Sequence, residues 1–152
     1  MQTIFIASDH AGFELKQKLI LFLRDMGYEV KDFGAPEFNG EDDYPDFIAP
    51  LAQEISAGGG AHTGIVIGGS GQGEAMVANR FRHVRAVVFA GQGNNAVQTA
   101  REHNDANVLS LGARFITDKE AEEAVKIFLT TPFSEDERHV RRLKKVDSLH
   151  IS

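Results

Sequence analysis

The sequence predicts an α/β protein: a doubly wound, three-layer sandwich with a five-stranded parallel sheet and helices on both faces. Three observations carry this. Short apolar, β-branched runs alternate with segments of helical periodicity along the whole chain. The central runs TGIVI, VRAVVF and NVLSLG are apolar almost throughout rather than alternating, the pattern of strands buried on both faces. The 152 residues contain no visible repeat, linker or low-complexity tract, so a single domain over 1–152 is expected.

QTIFIA (2–7) is the first strand, ending at Ser8-Asp9-His10. GFELKQKLILFLRDM (12–26) places Phe13, Leu19, Ile20 and Leu23 close to helical spacing and stops at Gly27. YEVKDF (28–33) is a strand, and GAPEFNGEDDYP after it is a polar loop of turn residues. A helix FIAPLAQEIS follows, with Asp46 expected as its cap and Pro50 accommodated in its first turn. TGIVIGG (63–69) is a strand and EAMVANRF (74–81) a short helix. VRAVVF (84–89), a helix near 95–103, NVLSLG (107–112), a helix over about 118–130 and a basic amphipathic helix over about 135–147 complete the alternation.

Ligands of open parallel sheets bind outside the carboxyl ends of the strands, at the topological switch point. Polar chemistry is therefore expected together at that end, where Asp9-His10, Gly68 to Glu74, Gly91-Gln92 and Gly112 to Arg114 emerge. His103-Asn104-Asp105 lies just before the fifth strand, at the end of its preceding helix, and is expected to collect with them on one edge.

Composition removes several function classes. A formal net charge of −6 argues against a nucleic-acid binder. With no cysteine there is no disulfide, thiolate nucleophile or cysteine-ligated metal. MQTIFIASDH lacks a basic region followed by a long apolar stretch, so no signal peptide is expected. No apolar run approaches the roughly 18 residues of a membrane helix. A cytoplasmic protein is expected.

The densest chemistry lies in GGSGQGEAMVANR (68–80). It is no Walker A loop, because no lysine occurs between His62 and Val87. The dinucleotide fingerprint fails on spacing, and a nucleophile elbow centred on Ser70 would need glycine where Gln72 stands. What remains is a turn whose glycines bring backbone N–H groups against a ligand, followed by the positive end of a helix. Such a nest suits developing negative charge, an enediolate included. Glu74 then has two readings: a helix-dipole acid facing solvent, or a general base beside the donors that stabilise the charge it creates. Asp9 reads equally as a turn or cap former. His10 and His103, taken singly, read as ordinary half-buried histidines. Arg138, His139, Arg141, Arg142, Lys144 and Lys145 form a basic stripe, either a solvated helix end or, through the i, i+4 pair Arg138 and Arg142, a phosphate clamp.

Taken together, SDHAGFELK (8–16), DDYPD (42–46), GGSGQGEAMVANR, VRAV (84–87), REHNDANVLSLGAR (101–114) and RHVRRL (138–143) resemble the ribose-5-phosphate isomerase B family, which also contains the galactose-6-phosphate isomerase subunits. The resemblance covers nearly the whole chain in order. It implies a Rossmann-like fold and an aldose–ketose isomerase that works through a cis-enediolate without metal or organic cofactor. It implies that Asp9 and His10 bind substrate, with His10 reaching the phosphate, and that Tyr44 borders the sugar. The histidine of the pair His103-Asn104 would assist ring opening together with Asp9, and Asn104, Arg114, Arg138 and Arg142 would bind substrate. It further implies that the C-terminal helix serves the site of a neighbouring subunit in a homodimer, with pairing into tetramers left open.

One branch of that family carries a cysteine base at the position of Gly68. Gly68 to Glu74 match the other branch, in which the glutamate is the base, Ser70 helps move a proton between the carbonyl oxygens, and Gly69, Gly71 and Gly73 line the oxyanion. The expected activity is interconversion of ribose 5-phosphate and ribulose 5-phosphate. The alternatives are another sugar phosphate (allose or galactose 6-phosphate) or a non-catalytic sugar-phosphate-binding module. FAGQGNNAVQTA (89–100) is typical of neither branch and leaves the sugar open.

Overall fold

A computed structural model describes residues 1–149. After β1 (Thr3–Ser8), Asp9 turns the chain out of the sheet. Its Oδ1 accepts from the Ala11 N–H at 3.0 Å, starting one 3-10 turn over His10–Gly12 that runs into α1 (Phe13–Asp25). There follow β2 (Glu29–Asp32), α2 (Pro45–Ala57), β3 (Thr63–Gly68), α3 (Gln72–Ala78), β4 (Ala86–Phe89), α4 (Asn94–Asn104), β5 (Val108–Gly112), α5 (Asp118–Thr130) and α6 (Glu137–Asp147).

Two helix boundaries differ from expectation. Tyr44, not Asp46, occupies the cap of α2, because Pro45 takes the first helical position, where its fixed φ fits and its missing N–H costs nothing. Asp46 consequently lies in the first turn, and Pro50 falls inside the helix on an exposed face. The short helix α3 begins at Gln72 and ends by Asn79, which leaves the helix to pair with β4. Its side-chain amide donates to Ala86 O at 3.0 Å and accepts from Ala86 N–H at 2.8 Å.

All five strands are parallel, in the order β2-β1-β3-β5-β4. Right-handed crossovers put α1, α4 and α5 on one face and α2 and α3 on the other, and two apolar cores result. The first gathers Ile4, Ile6, Ile65, Ile67, Leu109 and Leu111 under those three helices. The second gathers Phe5, Ala7, Val66 and Val108 under Ile48, Leu51 and Ile55 of α2. Each fully buried aliphatic side chain is worth about 1.5–3 kcal/mol. The central strands are accordingly apolar on both faces, as predicted. From β1 the chain crosses to β2 on one side and from β3 to β4 on the other, so a crevice opens between the carboxyl ends of β1 and β3.

Candidate active site

Glu74 occupies that crevice. It sits in the first turn of α3 yet is only 4 % exposed, so it is not a solvent-facing dipole acid. Its carboxyl lies against the Gly68 backbone: a Cβ built on Gly68 would fall inside the carboxyl group. Burial pushes the Glu74 acid above the usual carboxylate range; its own backbone amide opposes this, and the Asp9 charge adds to the rise. The two carboxyls thus share the floor of the crevice.

Between Gly68 and Glu74 the chain turns tightly. Gly71 has φ +77°, the left-handed region open to glycine at little cost. The Ser70 hydroxyl accepts from Gln72 N–H at 3.2 Å, and the first intrahelical bond of α3 is made only by Ala75 N–H to Gly71 O. The N–H groups of Gly73 and Glu74 therefore precede the first helical bond, as at any helix start. A side chain at Gly73 would strike the Tyr44 ring, and one at Gly69 the Arg114 guanidinium, so both residues lie on the turn.

His10 stands beside it, 29 % exposed at its side chain. Its ring Nδ1 is 2.8 Å from Asp42 Oδ1, and the same oxygen accepts the His10 backbone N–H at 2.9 Å. Asp9 Oδ2 is 4.0 Å from the ring. The hydrogen bond to Asp42 holds the imidazole above its ordinary value, opposed by desolvation and by Arg114 and aided by the Asp9 charge. Asp9 is thus the turn former expected of it: one oxygen caps the turn, and the other faces His10. The sequence alone assigns Asp42 no role. It was visible in DDYPD, but nothing local shows that the loop folds back onto β1.

His103 and Asn104 are not at this end of the sheet, contrary to the expectation that the polar groups gather together. α4 runs antiparallel to the strands, so its C-terminus is delivered to their amino ends, where its cap Asp105 pairs with Arg85 ahead of β4 and with Arg101. There His103 stacks on His139 of α6, with ring centroids 4.3 Å apart and planes 17° apart. Burial, then the neighbouring His103, push the His139 imidazole down. Arg138 and Arg142 lie exposed on the same helix. Asp9, His10, Tyr44, Gly69 to Glu74 and Arg114 form one group and His103, Asn104, Arg138 and Arg142 another, at opposite ends of one sheet.

Comparison with known proteins bears on both groups. The profile of the Ribose/Galactose Isomerase family matches residues 4–146. Ribose-5-phosphate isomerase B of Mycobacterium tuberculosis is 41% identical over 143 residues, 92% of this chain and 85% of that protein. The probable ribose-5-phosphate isomerase B of Mycoplasma genitalium is 40% identical, over 94% of this chain and 92% of its own. Among solved structures, ribose-5-phosphate isomerase B from Mycoplasma genitalium with bound ribulose-5-phosphate superposes with a TM-score of 0.90 at 38% identity, covering 95% of this chain and 93% of that one. The Thermotoga maritima enzyme gives 0.89 at 40% identity, covering 97% and 99%. The matched span runs from β1 into the last turn of α6, so it takes in both ends of the sheet, and the chain belongs to the ribose/galactose isomerase family.

Proposed function

We propose that the protein interconverts ribose 5-phosphate and ribulose 5-phosphate through a cis-enediolate, each site being completed by two chains. The observation that carries the reading is the buried Glu74 carboxyl, lifted above its usual range beside a tight glycine turn. A base that must take a weakly acidic C–H proton near neutral pH gains from such a rise, and general-base catalysis is typically worth about 10² to 10⁴ in rate.

The substrate phosphate lies between His10, Arg114 and the partner's Arg138 and Arg142. Ring opening needs a proton delivered to the ring oxygen, which is the part of the partner's His103, with Asp9 facing it and Asn104 beside it. Glu74 then removes the proton from C2 as the electron pair moves through C1 onto O1. Backbone N–H groups of Gly69, Gly71 and Gly73 hold that oxyanion, each good donor being worth roughly 10² to 10³. Ser70 passes a proton from O2 to O1, and Glu74 returns its proton to C1, giving the ketose. Tyr44 closes the sugar's flank. Every step is a proton transfer, so neither metal nor organic cofactor is needed.

Sharing between chains is supported by the separation of the two groups of residues: no single chain brings His103 to Glu74, whereas a twofold dimer can set one end of the sheet against the other. No helix among the described residues is long and apolar enough to cross a membrane, and the proposal places the enzyme in the cytoplasm. The test is isomerisation of ribose 5-phosphate in deuterated solvent, alongside allose and galactose 6-phosphates. Turnover of ribose 5-phosphate with deuterium entering at carbon supports the reading. Absence of turnover on every sugar phosphate would sink it, and preference for a 6-phosphate would move the substrate.

A further inference from the structure

The isomerase reading leaves one well-buried carboxylate without a part. Asp42, on the connection between β2 and α2, has a side chain only 9 % exposed. Its Oδ1 takes both the backbone N–H of His10 and the ring Nδ1, at 2.9 and 2.8 Å. Its Oδ2 is buried with no hydrogen-bond partner among the described residues. We propose that Asp42 is a positioning residue that clamps the His10 ring and sustains its positive charge, so that the substrate phosphate meets an oriented cation. The proposal rests on the isomerase reading.

A carboxylate only accepts, so Nδ1 must carry the proton, and Nε2 is left to face outwards. Because one oxygen holds both backbone and ring, the side chain loses its torsional freedom before substrate arrives. The bond is sheltered from water on the Asp42 side, where a charge-assisted hydrogen bond is stronger than in the open. The other charges facing His10 are Asp9 from the end of β1 and Arg114 from the turn after β5. Arg114 opposes the imidazolium, and Asp9 at 4.0 Å is the more distant carboxylate. The Phe38 ring, nearly perpendicular to the imidazole with centroids 6.3 Å apart, flanks it. Asp42 is thus the dominant support of the charge.

A carboxylate that merely tied its loop to β1 would affect stability but not proton affinity. Asp42→Asn separates the two, since the amide oxygen can still accept both bonds but cannot offset a positive charge. In the ligand-free protein, the NMR titration midpoint of His10 should move to lower pH. The KM for ribose 5-phosphate should rise about tenfold at a pH between the two midpoints with kcat little changed, the size expected when one charge-assisted contact is weakened. Below both midpoints, where the ring is protonated in both forms, the difference should shrink. Asp42→Glu should restore the wild-type profile, and in a His10→Asn background Asp42→Asn should add nothing. An unmoved His10 midpoint, or a KM ratio independent of pH, overturns the proposal. Should Asp42→Asn not fold, Asp42→Glu against Asp42→Gln makes the same comparison. The titration uses no substrate, so a wild type inactive on ribose 5-phosphate would count against the isomerase reading alone.

Discussion

At the scale of single residues, Glu74 and Gly68 constrain each other. The Glu74 carboxyl lies where a side chain at 68 would begin, so a base on residue 68 and a base on residue 74 cannot share this crevice. Gly68→Ala should push the carboxyl aside and lower kcat by about 10²-fold or more. Adding Glu74→Ala should recover the melting temperature but not the turnover; recovered turnover would show that the base lies elsewhere. Glu74→Gln keeps the shape without accepting a proton, so kcat should fall at least about 10²-fold with KM much less affected. The same variant has a stability signature. The folded-state value of Glu74 is raised by burial, so its stabilising contribution is complete below the unfolded carboxylate value and is lost as pH rises through the folded one. Glu74→Gln should therefore melt above the wild type at neutral pH, the gap narrowing as pH falls towards the ordinary carboxylate range. A gap that stays constant with pH would refute the buried charge.

At the scale of elements, the connection between β2 and α2 shows where sequence reading stops. Strands and helices were legible because their apolar spacing is set by local geometry. The connection was legible only as polar turns, yet it delivers Asp42 to His10 and Tyr44 to the Gly73 turn. Its anchor is Lys16, wholly buried on the core side of α1, whose ammonium donates to Asp32 at 2.6 Å. In the sequence Lys16 is one more polar residue of an amphipathic helix, and nothing shows that its amine reaches the end of β2. Asp32 is itself a third exposed, so the pair is worth less than a fully buried one. Lys16→Met should cost about 2 kcal/mol of stability, mostly through the carboxylate left without its partner. Proteolysis within 33–44 should quicken in parallel; a stability loss without it would mean that Lys16 supports only the core. His103 was misplaced for a related reason: its nearness to β5 in the chain hides the direction of α4, which leaves it at the amino ends of the strands.

At the scale of the whole molecule, the two separated groups make a direct test of sharing. Glu74→Gln subunits mixed with His103→Ala subunits, unfolded and refolded together, should form hybrids with one doubly defective site and one intact site. Random pairing should return about one quarter of wild-type activity, since half of the dimers are hybrids with one working site each. No recovery in demonstrably hybrid dimers would show that each chain works alone. The distance between Glu74 and His103 has a further consequence in mass action. A catalyst divided between two molecules exists only while they are associated, so turnover per chain is not fixed but depends on enzyme concentration. On serial dilution, specific activity should hold steady and then fall in proportion to the remaining dimer, and sugar phosphate bridging both chains should shift that fall to lower concentration. The substrate would in this way help to assemble the enzyme that consumes it.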